Sequence, residues 1–145
     1  MRRALHLIAA TVIGLVVGSV VNMGLISLGA SVMPLPGGAD TTTAEGLRAS
    51  LPLFEPRHFT FPFLAHALGT LAGAMVATLL APARTSGPAW AVGVAFLLGG
   101  IASVVMLPAP VWFSALDLVV AYLPMAWLGH RIVAALVPQR RRAAV

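Results

Sequence analysis

Apolar residues run along this chain in four long stretches, separated by short segments rich in proline, glycine and polar residues. The first stretch extends from Ala4 to Met33 without a charge, and the others begin at Phe61, Ala89 and Val111. A hydrocarbon core of about 30 Å takes about 20 residues of helix at a rise of about 1.5 Å each. The pattern therefore predicts transmembrane helices over about 5–29, 61–81, 89–107 and 111–135. Pro34-Leu35-Pro36-Gly37-Gly38, Ala81-Pro82 and Pro108-Ala109-Pro110 mark the breaks, because proline lacks the N–H that would continue a helix. Arg2 and Arg3 ahead of an apolar run also suit a signal peptide, but this run is about twice the length of a signal core of about 7 to 15 residues. It is read as a retained span.

A second period lies inside the first. Small residues recur every fourth position at Ala10, Gly14 and Gly18, with Asn22 next in the series, and at Ala65, Gly69, Gly73, Ala77 and Ala81. The third span gives Ala91, Ala95, Gly99 and Ser103, and the fourth Asp117, Ala121, Met125 and Gly129. Such stripes let helix backbones approach closely, so they predict the packed face of each span.

The segment 34–60 is the one sizeable stretch between spans. Thr42-Thr43-Ala44-Glu45 fits a capping box, and Ala44, Leu47 and Leu51 follow at helical spacing. A short helix over about 43–51, resting at the outer interface or capping the bundle, is expected before Pro52 and Pro56 end it. The predicted fold is thus an all-α integral membrane protein, a four-helix transmembrane bundle with a short outer interfacial helix in a single domain.

Composition agrees. Of 145 residues, 59% are apolar and only 9% charged, against about 25% charged in a soluble domain. The absence of cysteine excludes disulfides, thiolate metal sites and c-type haem attachment. Charge adds an orientation. Arg2, Arg3, Arg84, Arg131, Arg140, Arg141 and Arg142 fall on one side of a four-span bundle, while Asp40, Glu45 and Glu55 fall on the other. The positive-inside rule then places both termini in the cytoplasm of a bacterial-type inner membrane, with 34–60 outside. The C-terminal arginines, over 138–145, suit anionic headgroups rather than nucleic acid, which is not an expected partner. Trp90 and Trp127 would lie near the inner interface; Trp112, Phe113, Phe54, Phe59 and Phe61 would lie near the outer one.

Candidate chemistry comes from combining helix face with depth. Counted from the outer ends, Asn22, His66, Ser103 and Asp117 fall within about half a turn of one another, on or beside the small-residue stripes. Thr70 sits one turn below His66. An intramembrane carboxylate costs about 2.5–3.5 kcal/mol on insertion scales and marks a pathway, relay or ligand site by default. A His66–Asp117 contact is predicted, since each stabilises the other's charged form, with Asn22 and Ser103 lining the same pocket. The structural alternative is polar glue between helices, worth about 0.6 kcal/mol per contact.

Three functions follow as expectations. The first is a site at Asn22, His66, Thr70, Ser103 and Asp117 that binds or conducts a small solute, ion or proton, with Pro124 as a hinge and a homo-oligomer supplying what four spans lack. The second is a metal or haem site, in which Glu55 and His58 fold over His66 and Asp117 to complete a nitrogen and oxygen ligand set. The third is an accessory or assembly subunit bound to a membrane partner. An enzyme ranks last, because Ser114 near Asp117 has no histidine on its own face. The residues name no cofactor beyond that metal reading.

Overall fold

A computed structural model describes residues 1–137, and these are helical with no strand among them. The expected basic tail over 138–145, with Arg140, Arg141 and Arg142, lies outside the described residues. The helices are α1 (Arg2–Val32), α2 (Ala44–Ser50), α3 (Thr60–Leu80), α4 (Gly87–Met106), α5 (Val111–Val120) and α6 (Leu123–Leu136). Single 3₁₀ turns occupy Leu51–Leu53, Pro56–Phe59 and Pro82–Arg84. Four helical segments, with α5 and α6 taken together, are long and apolar enough to cross a membrane.

Proline sets the boundaries as read. Met33, Ala81 and Leu107 each leave the helical region immediately before a proline, whose ring crowds the preceding residue out of the α conformation. The fourth span departs from the expected continuous helix. Pro124 cannot donate to the carbonyl of Val120, and the chain breaks at Tyr122, with φ −115° and ψ −82°. The break lies two residues before the proline that was expected to act as a hinge.

Helix α3 is the hub, touching α1, α4, α5 and α6. Its expected stripe is buried at Ala65, Gly69, Gly73, Ala77 and Ala81, together with Thr70, Ala74 and Thr78. Gly14 and Gly18 of α1 meet Gly73 and Gly69 of α3 backbone to backbone. A Cβ on Gly14 would lie 2.6 Å from the Gly73 carbonyl oxygen, and one on Gly69 would lie 2.9 Å from that of Gly18. Only glycine permits that approach.

The α4 stripe needs a correction. Ala91, Gly99 and Ser103 are exposed, and the buried face is Val92, Gly93 and Gly100, about one residue around the helix. Bulk explains the rotation, because Gly93 receives Ala126 and Gly100 receives the Tyr122 ring, neither of which can be placed without knowing the α5–α6 break. The opposite end of the bundle closes differently. Ala83 and Arg84 both take positive φ, at 54° and 50°, which costs non-glycine residues roughly 1–2 kcal/mol each. The Arg84 guanidinium donates to the Val137 carbonyl, tying that turn to the end of α6.

The expected short helix forms as α2, but its cap is Thr43 rather than a Thr42–Glu45 box. The Thr43 hydroxyl accepts from Gly46 N–H at 2.9 Å, while Thr42 serves Asp40 instead. Leu47 of α2 and Leu51 of the turn after it line a cavity together with His66 and Asp117.

Candidate functional site

The site assembles from two helices and the break that follows the second. His66 comes from the second turn of α3 and Asp117 from the last turns of α5, while Tyr122 sits in the break that follows. His66 Nδ1 lies 2.8 and 2.9 Å from the two Asp117 carboxylate oxygens. The Tyr122 hydroxyl donates to Asp117 Oδ2 at 2.8 Å and lies 3.1 Å from His66 Nδ1. The two rings stack with centroids 5.8 Å apart.

Burial divides the labour. The Asp117 side chain is 3% exposed and that of His66 22%, so the imidazole is where this network meets its surroundings. Every hydrogen bond of the His66 ring runs through Nδ1, which leaves Nε2 without a protein partner among the described residues. A carboxylate that accepts from Nδ1–H fixes the tautomer and presents Nε2 as the working atom. That atom is an acceptor when the ring is neutral and a donor when it is protonated.

Two cavities adjoin at His66. One, of about 360 Å³, opens between α1 and α4 and is lined by Ser19, Asn22, His66, Phe96, Ser103 and Tyr122 among others. The second, of about 190 Å³, lies beneath α2 and is lined by Leu47, Leu51, His58, His66, Ser103 and Asp117 among others. Gly100 and Ser103 are shared by both. Asn22 lines the first, and its Oδ1 is buried with no hydrogen-bond partner, a costly state for an amide oxygen. An aromatic floor closes the α2 end. Phe59 packs on Phe113 at 4.8 Å and meets Trp112 edge-on at 5.7 Å.

The predicted contact between His66 and Asp117 is therefore present, and Asn22 and Ser103 line the cavities beside it. Thr70 does not. It is fully buried, its hydroxyl donates to the His66 carbonyl at 2.8 Å, and it lines neither cavity. The metal reading is corrected too, because Glu55, His58, His66 and Asp117 do not converge. Glu55 pairs with Arg57 at 3.2 Å on the surface. His58 is spent on local structure, with Nδ1 accepting from Glu55 N–H at 3.0 Å and Nε2 at 3.2 Å from the Pro34 carbonyl. Glu55 and His58 together form a capping box for the turn into α3. Among the described residues no three His, Asp or Glu side chains group to hold a metal. Ser114 is a buried hydroxyl without a hydrogen-bond partner.

Tyr122 is the member that sequence reasoning missed. Five residues beyond Asp117 on an ideal helix is about 140° away, so only the break returns it to the same face. Gly100 makes its room, since a Cβ there would sit 2.5 Å from the phenolic oxygen. The signal available was the chain's one tyrosine standing two residues before Pro124.

No family model matches the chain, and neither a curated protein nor a solved structure does.

Proposed function

We propose that this protein is a small membrane protein that binds a proton, or a small solute that exchanges one, at His66, and passes it between the α2 end of the bundle and the α1–α4 cavity. The observation that carries this reading is the buried Asp117–Tyr122–His66 network, whose histidine lines two adjoining cavities and keeps Nε2 without a partner among the described residues. Buried charge held beside accessible space is the usual mark of a pathway in a membrane protein. Asp117 orients the imidazole and balances its charge, Tyr122 holds Asp117, and Asn22 and Ser103 supply further polar atoms along the wall. The α5–α6 break supports the same reading, because interrupted helices at membrane depth recur beside binding sites. The arginine distribution favours an inner membrane with both termini cytoplasmic, which puts α2 and the smaller cavity outside.

Purified protein in vesicles loaded with a pH-sensitive dye, driven by a potassium diffusion potential, tests the proposal. Proton flux above that of empty vesicles is expected for the wild type, with loss in His66→Gln and Asp117→Asn. Wild-type flux equal to that of empty vesicles, combined with a His66 resonance that ignores pH, would refute it.

A second reading, an assembly subunit or homo-oligomer, has one observation of its own: the exposed small-residue face of α4 at Ala91, Gly99 and Ser103. A bulky Gly99→Trp change that dissociates an oligomer without altering the monomer would favour it.

A further inference from the structure

At the arginine end, away from His66, a groove of about 480 Å³ runs between the start of α1 and the start of α4. Its polar end holds Arg3 and Thr85, and its wall is apolar, with Ile8, Val12 and Ala91. Three features stand together there. Arg3 is exposed and has no ion pair among the described residues. The Thr85 hydroxyl oxygen is buried without a hydrogen-bond partner. Helix α4, 20 residues long, starts with no side-chain cap; Pro88 has no N–H and Ala89 is buried, so Gly87 offers the exposed N–H of this start, and nothing lies within 4 Å of where a Gly87 Cβ would stand.

From this arrangement we infer that the groove is a binding site for an anionic phospholipid. Its phosphate is held by the Arg3 guanidinium, the Thr85 hydroxyl and the start of α4, and one acyl chain lies along Ile8 and Val12. Charge selects the headgroup: a guanidinium and an uncapped helix start both favour a phosphate oxygen, and an additional ammonium, as in a zwitterionic lipid, would find no carboxylate among the groove residues. The apolar wall selects a lipid over free phosphate. Ile8 and Val12 are 60% and 51% exposed, in reach of a tail that continues from the headgroup. Arg84 is not a rival anchor, being committed to the Val137 carbonyl.

Native mass spectrometry of the full chain, released from detergent with equal amounts of phosphatidylglycerol and phosphatidylcholine, tests the site. Preferential retention of phosphatidylglycerol by about fivefold is expected, the share of one interfacial cation. Arg3→Gln, an exposed change that leaves folding intact, should abolish most of that preference, Thr85→Val should reduce it, and Thr85→Ser should preserve it. Arg57→Gln, at the other end of the bundle, should leave it unchanged. Equal retention of the two lipids, or a preference that survives Arg3→Gln, would overturn the site. Displacement of the lipid by glycerol phosphate alone would show that a soluble phosphate suffices, and would overturn the lipid assignment.

Discussion

The α1–α3 seam and the stripe on α4 are written with the same kind of residue and fold differently. Toward α3, Gly14 and Gly18 meet Gly73 and Gly69 with backbone carbonyls where side chains would stand. Toward α4, the stripe Ala91, Ala95, Gly99 and Ser103 meets no such partner, and cavities open along it at both ends. Phe96 accounts for part of the difference: its ring fills the space at Gly18, 3.0 Å from a Cβ placed there, and holds α4 away from α1. A period-four stripe permits close approach. Whether helices take it depends on which bulky side chains intervene, and here the open side is where polar chemistry collects.

The largest expected effect lies at that boundary. Removing His66 leaves a carboxylate that is 3% exposed with Tyr122 as its remaining side-chain donor, whereas removing Asp117 leaves an imidazole that is 22% exposed. His66→Ala should therefore cost more than Asp117→Ala, on the order of 3–5 kcal/mol, and the double variant should recover part of the loss. Thermal unfolding in detergent across this cycle checks it; equal and additive losses would mean that the pair is not coupled.

Next come the two seams themselves. Gly73→Ala places a methyl 2.7 Å from the Gly14 carbonyl oxygen and should destabilise by about 1–3 kcal/mol. Gly99→Ala, with nothing within 4 Å, should be neutral or stabilise by up to about 1 kcal/mol, as Gly to Ala does in an unobstructed helix. A similar cost at both positions would erase the distinction between closed and open seams.

A smaller effect belongs to the cap above the open side. Thr43→Ala removes the side-chain bond to Gly46 N–H and should cost α2 about 1 kcal/mol, read as faster amide exchange over 44–50. Smallest is the pH response of the loop before it. The Thr42 hydroxyl and backbone N–H donate to Asp40 at 2.6 and 2.8 Å and hold its carboxyl below its ordinary value. A lowered carboxyl contributes stability at neutral pH and loses it as pH falls through the lowered value. Exchange in this loop should accelerate in strong acid, and Asp40→Asn should flatten that response without touching the α1–α3 seam.

Much of this was legible from residue order. The number of long apolar segments and the boundaries at Met33, Ala81 and Leu107 followed from apolar length and proline, both local properties of the chain. The α3 stripe and the His66–Asp117 contact followed from the helical period and the membrane depth, which act on every span alike. Tertiary structure decided what depends on a neighbour's shape. It turned α4 by about one residue to seat Tyr122 against Gly100, and it broke the fourth span so that Tyr122 reached Asp117. It spent Thr70 and His58 on backbone groups rather than on a ligand set. Periodicity fixes direction only along one straight helix, and a break or a bulky ring from another helix resets it; neither is written in the segment it moves.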